Sequence, residues 1–386
     1  MAGPLDGIKV VELGVWVAGP AAGGIMADWG ADVVKIEAPT GDPGRSFGRM
    51  LGLDDGSNPP FEMDNRSKRS IVLDLTTDGG LATARQLISR ADVFITNVRP
   101  DALSRLSLDY PSLAELNPRL VYGLITGYGE TGPDANRPAY DIAAFWARSG
   151  VADLLTKPGD TPPFQRGGMG DHLTGMTLAA AINAALVARA RTGEGQLVST
   201  SLYRQGAYTV SFDLNTFLLS GRPIAIGQRE SMGNPCMNNY VAADGRRFWI
   251  VGLEADRHWP ALCRAVGKPE WLGDKRFATA RDRARNSVDL IAALDEIFAD
   301  RTLDEWSQAF AAEPELFWAP VNSMEDVLGD EQFYAAGGLV DVPDGDGSLP
   351  MVATPADFHG TPWAPRSAAP KLGEHTERIL RELGSR

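Results

Sequence analysis

Apolar positions in the first third of the chain come in short runs set between helical spacings. Residues 8–13 (Ile-Lys-Val-Val-Glu-Leu) form a strand-length run, 18–29 a stretch of small residues at helical spacing, and 31–36 a second strand. Together they predict a βαβ unit. The alternation continues with strands over 70–75, 92–97 and 120–126 and a helix over 81–90. Such a chain is expected to be α/β, with a mostly parallel sheet, helices on both faces and ligands near the carboxyl ends of the strands.

Further on, Gly167-Gly168-Met169-Gly170-Asp171 is a glycine-rich loop opening an Ala-rich helix over 173–190; a turn at 191–195, a strand over 196–200 and a helix over 202–219 follow. Residues 221–239 read as loop, and 240–252 as a hairpin turning at Asp244-Gly245. Helices are expected around 258–266 and 287–299, and Thr302-Leu303-Asp304-Glu305 is a capping box that opens another. The tail ends in a helix over 376–383. At 386 residues the chain exceeds one ordinary core. These shifts divide it into a large domain (1–224), a smaller α+β domain (225–325) and a returning segment (326–386) that completes the large one.

Composition narrows the chemistry. Hydrophobic residues make up 44% and charged residues 23%, as in soluble globular proteins. The longest apolar run, 176–188, is broken by Asn183 and closed by Arg189 and Arg191, so no membrane partner is expected. The N-terminus shows no basic leader and apolar h-region, which points to a cytoplasmic location. Cys236 and Cys263 offer no disulfide framework, and His172, His258, His359 and His375 lack ligand spacing, so no metal is expected. A net charge of −13 argues against a nucleic-acid partner. Gly14 is followed by Val15 and Trp16 rather than by G-x-G-x-x-G, which disfavours a nicotinamide dehydrogenase.

The strongest candidate for chemistry is Asp171. The glycines before it let a second molecule approach the backbone, and the helix start supplies unpaired N–H groups that favour an anion. A reactive carboxylate and a simple helix N-cap both fit this pattern.

Several segments together resemble the family III CoA-transferases, the CaiB/BaiF family, from end to end of the chain. They are Pro4-Leu5-Asp6-Gly7-Ile8-Lys9-Val10, Ala18-Gly19-Pro20, Gly30-Ala31-Asp32-Val33-Val34-Lys35-Ile36-Glu37, Asn65-Arg66-Ser67-Lys68-Arg69-Ser70 and Leu73-Asp74-Leu75. To these are added the loop from Asn97 to Arg105, Gly127-Tyr128-Gly129, Arg137-Pro138-Ala139-Tyr140-Asp141, Gly170-Asp171, Thr192-Gly193-Glu194-Gly195-Gln196 and Leu372-Gly373-Glu374-His375-Thr376. Their order and spacing carry the resemblance.

The resemblance implies a Rossmann-like large domain, an interlaced homodimer in which each chain passes through a hole in the other, and CoA transfer from an acyl-CoA to a small carboxylic acid. It places Asp171 at the family's nucleophilic aspartate. That residue attacks the thioester to give an acyl-aspartyl anhydride, which the CoA thiolate converts to an aspartyl-CoA thioester. An Asp of ordinary acidity, near 3.9, needs no general base for this attack, and the 167–170 backbone N–H groups are candidate oxyanion donors. Matching positions for CoA are Val17 and Ala18 through their backbone, Leu73 and Thr76 near the adenine, and Asn97, Val98, Arg99, Arg105, Arg137 and Tyr140. Arg99 and Arg105 share one loop after a strand end, whereas Arg66, Lys68 and Arg69 read as a solvated rim.

Val17 stands where the oxalate-using formyl-CoA transferases have Gln, and their tetraglycine loop is missing, since 227–239 holds only Gly227 and Gly233; an oxalate-type substrate is not expected. Within the same fold, an α-methylacyl-CoA racemase would need a His at the position of Tyr140, and tyrosine is a poor base at neutral pH. A non-catalytic CoA-binding protein is the remaining alternative. His172 and Cys236 read as structural.

Overall fold

The computed structural model describes residues 3–224 and 228–384. The expected start of the small domain at residue 225, and Gly227, lie outside the described residues. The chain folds as two compact units, the described parts of Met1–Asn215 with Tyr334–Arg386 and of Thr216–Phe333.

In the larger unit β1 (Lys9–Leu13), β2 (Asp32–Glu37), β3 (Arg69–Val72), β4 (Val93–Thr96), β5 (Val121–Thr126) and β6 (Gln196–Ser201) form one parallel sheet in the order β3-β2-β1-β4-β5-β6. Side chains alternate across it, as the strand period requires. Val10, Val33, Val93, Ile95, Val121 and Ile125 meet a core with Leu178, Ala179 and Ile182. Val11, Val34, Ile71, Phe94, Tyr122 and Leu124 meet the core on the other side. Strand order reverses between β1 and β4, which opens a crevice beyond their carboxyl ends, the usual ligand position in such sheets.

The tail returns to this unit. The helix Thr376–Gly384 buries Ile379 and Leu383 in the second core, and the backbone N–H of His375 donates to Ser70 O. The antiparallel pair β10 (Leu339–Asp344) and β11 (Gly347–Val352) precedes it.

In the smaller unit β7 (Met237–Val241) and β8 (Arg247–Val251) form the expected hairpin, joined by a short third strand, β9 (Trp318–Pro320). Phe248, Phe298, Trp306 and Phe310 fill its core, and the Thr302–Glu305 capping box is present.

Three expectations change. The helix expected over 202–219 is two, Leu202–Thr209 and Ser211–Ser220. The Ala-rich helix expected over 173–190 runs from Met169 to Thr192: its 24 residues have the length and hydropathy of a membrane span, yet its Leu178, Ala179 and Ile182 are packed in the core under the sheet. Arg66 and Lys68, expected on a solvated rim, are each 1% exposed. Arg66 pairs with Asp28 (2.7 Å) and Lys68 with Glu12 (2.7 Å), partners that lie on other elements of the sequence.

Candidate active site

The turn from β1 into the helix Ala18–Asp28 is held from both sides. The Asn97 side chain, just past β4, accepts from Val15 N–H (2.9 Å) and donates to Val15 O (2.8 Å). From beyond β2, Asp42 Oδ1 accepts from Trp16 N–H (3.0 Å) and Gly44 N–H (2.8 Å). These contacts support a left-handed backbone at Trp16 (φ 64°), uncommon for a residue with a bulky side chain. Underneath, buried Lys35 bridges Glu12 (2.8 Å) and Asp42 (2.8 Å). Burial opposes the charge on Glu12, but Lys35 and Lys68 outweigh it and its pKa lies below the usual range. Lys68 is pulled down to about 8, chiefly by burial.

Asp171 is not the N-cap. Gly168 is, in a left-handed conformation (φ 73°), and the helix begins at Met169, which puts Asp171 in its third position. The orphan N–H groups of this start are taken by Asp141, whose Oδ2 accepts from Gly170 (3.0 Å) and Asp171 (3.3 Å). The Gly170 N–H is therefore engaged and is withdrawn as an oxyanion donor; Gly167 and Gly168 remain candidates. Only glycine fits at 170, since a Cβ there would lie 2.2 Å from both Asp141 Oδ1 and Phe145 Cγ.

Asp171 does not have ordinary acidity either. Burial raises its pKa from 3.8 to about 7, and Asp141 and Asp64 add to this against a smaller opposing effect of His172. The His172 ring is tied to buried Asp64 (Nε2 to Oδ1, 3.1 Å). Burial opposes its charge, but Asp64, Asp171 and Asp141 prevail and the His172 pKa is raised.

Asp171, Val17, Ala18, Asn97, Arg99, Arg137 and Tyr140 line one cleft of about 110 Å³, together with Trp16, Thr126, Gly127, Asp141 and Leu202. That volume suits the reacting end of a substrate and not a whole CoA. Tyr140 is 65% exposed, its ring edge-on to Trp16 at 6.0 Å. Leu73, Thr76, Val98 and Arg105 do not line this cleft. The Leu73 side chain is in the core, Thr76 is exposed and bonded to Asp74, and Val98, two residues past the end of β4, packs on the core. Arg99 and Arg105 do not share a loop: Arg99 caps a helix and Arg105 closes it, six residues on, or about 9 Å along the axis. Cys236 is buried and its thiol is pushed up to about 11, which suits a structural role.

The family model for CoA-transferase family III matches residues 5–376. The chain belongs to the family III CoA-transferases. It is 33% identical over 384 residues to the (R)-2-hydroxy-4-methylpentanoate CoA-transferase of Clostridioides difficile, covering 98% of this chain and 95% of that one. It is 38% identical to the succinate–glutarate CoA-transferase of Agrobacterium fabrum, covering 98% and 96%. Among solved structures, a CaiB/BaiF family protein from Brucella suis superposes with a TM-score of 0.87 at 34% identity, covering 99% of this chain and 100% of that one. This family III CoA-transferase uses CoA thioesters as co-substrate and carboxylic acids as partners in exchange.

Proposed function

We propose that this CoA-transferase works through Asp171. The observation that carries the proposal is the half-buried Asp171 carboxyl lining the crevice at the carboxyl ends of β1 and β4, beside Arg99, Arg137 and Tyr140. The ionised carboxylate attacks the thioester carbonyl, the C–S bond breaks, and the electron pair leaves on sulfur as CoA thiolate. The thiolate then attacks the aspartyl carbonyl of the anhydride, forming the aspartyl-CoA thioester and releasing the donor acid as its carboxylate. An acceptor carboxylate reverses both steps. With its pKa near 7, Asp171 is about half ionised at neutral pH and, once ionised, more basic than an ordinary aspartate.

Val17, Ala18, Asn97, Arg99, Arg137 and Tyr140 hold the CoA arm in this scheme, with Leu73, Thr76, Val98 and Arg105 as contacts farther from the thioester. Asp171→Ala should reduce transfer by several orders of magnitude in a folded protein, and activity within about tenfold of wild type would refute the assignment.

The same proposal includes an interlaced homodimer. It draws support from the helix Ser211–Ser220, which buries none of its residues and exposes Phe217, Leu218 and Leu219. Light scattering should report a dimer at nanomolar protein, with no subunit exchange between differently tagged dimers before denaturant is added. A monomer or rapid exchange would contradict it.

A further inference from the structure

The cleft that holds Asp171 contains a second carboxylate, Asp141, which the acyl-transfer scheme does not use. Its place is built rather than incidental. It opens the π-helical turn Ile142–Ala147, whose Phe145 and Trp146 are anchored in the core, and it is itself buried. One oxygen, Oδ2, accepts the N–H groups of both Gly170 and Asp171. The other, Oδ1, is buried over the Cα of Gly170 with no donor among the described residues. Gly168, the N-cap, has no side chain, so Asp141 supplies from 27 residues away the capping that helix starts normally take from their own sequence.

We propose that Asp141 is a positioning residue for transfer: it fixes the backbone that carries Asp171, and it sets a negative charge against the nucleophile that covalent attachment to Asp171 relieves. This rests on Asp171 being the nucleophile. When Asp171 attacks the thioester, its charge leaves with the sulfur. When the thiolate re-attacks, the charge leaves with the donor acid, and Asp141 then faces a neutral thioester. Both adducts are thereby favoured over the free pair of carboxylates. The rise in the Asp171 pKa, led by burial and next by Asp141, agrees with this.

The other charged or titratable groups facing Asp171 are Asp64 from the helix Pro59–Asn65, His172 on its own helix, and Arg99, Arg137 and Tyr140 around the cleft; the helix Ala18–Asp28 brings only uncharged Ala18.

Asp141→Asn separates the two roles, because the amide oxygen still accepts the helix N–H groups while the charge is gone. Asp141→Ala removes both. In wild type the acid limb of kcat/KM should have its midpoint near pH 7. In Asp141→Asn that midpoint should fall by at least one pH unit, and the fraction of enzyme trapped as aspartyl-CoA thioester should fall at least fivefold; Asp141→Ala should lose more kcat than Asp141→Asn. An unmoved acid limb together with an unchanged trapped fraction would overturn the proposal, even where a wild-type adduct on Asp171 upholds the nucleophile. Absence of that wild-type adduct would instead overturn the nucleophile and this proposal with it. If neither variant folds, site-specifically labelled infrared titration of the wild-type Asp141 and Asp171 carboxyls decides: coupled titrations, in which ionising one carboxyl displaces the other, uphold the pair, and two independent single-step titrations overturn it.

Discussion

Gly170→Ala tests the packing that holds the nucleophile in place. In an ordinary helix this change stabilises by about 1 kcal/mol through backbone entropy. Here the added Cβ would stand 2.2 Å from Asp141 Oδ1 and from Phe145 Cγ, against about 3.4 Å for an ordinary contact, so something must move by 3.4 − 2.2, or about 1.2 Å. Phe145 is fully buried in the core and Asp141 is held by two N–H groups, so neither is free to swing aside. Overpacking of this kind costs about 1–3 kcal/mol, which cancels the helical gain and leaves a net loss of up to about 2 kcal/mol. The start of the Met169–Thr192 helix must shift to relieve it, and Asp171 moves with it. A displacement of about 1 Å at a reacting group costs about a hundredfold in rate. Urea unfolding and a CoA-exchange assay on the same preparation measure both effects. A variant more stable than wild type, with transfer within threefold, would refute the packing argument.

Removing the Asp171 charge should stabilise the fold. The folded-state pKa near 7 lies above the usual 3.8, so proton binding favours the folded state below pH 4 and that advantage is lost as pH rises to 7. Asp171→Asn should therefore be more stable than wild type at pH 8, by at most about 4 kcal/mol, with the gap closing toward pH 4; equal stability at pH 8 by urea unfolding would count against a buried, repelled carboxylate. Lys35→Met leaves Glu12 and Asp42 buried without their shared cation, and should cost about 3–5 kcal/mol of stability; a loss under 1 kcal/mol would show that the network is dispensable. Arg105→Ala should raise KM for CoA esters more than it lowers kcat, less so at high salt, and an unchanged KM would remove Arg105 from the CoA contacts.

The parallel sheet was legible because β1, β2, β4 and β5 are short apolar runs buried on both faces, separated by helical spacing and turn residues. β9 was missed: it has three residues and contains Pro320, and it is a strand only because β8 lies beside it. The 202–219 helix read as one because nothing in its spacing marks the break at Val210. Asp171 could be found from its glycines and from the family resemblance, but its environment could not. Asp141 lies 29 and 30 residues from the N–H groups it binds, and Asp64 108 residues from His172, so the groups that set the acidity of Asp171 meet only in the folded chain. Arg66 and Lys68 looked solvated for the same reason, since Asp28 and Glu12 lie on other elements.

The central claim is that CoA passes through a covalent bond to Asp171. The most direct measurement is peptide mass spectrometry of the enzyme incubated with an acyl-CoA that supports exchange, quenched in acid and, in parallel, with hydroxylamine. The peptide containing Asp171 should gain the mass of CoA less water in acid, should carry a hydroxamate after hydroxylamine, and should be unmodified in Asp171→Asn. Transfer at the wild-type rate without any adduct on that peptide, or an adduct on another residue, would contradict the account.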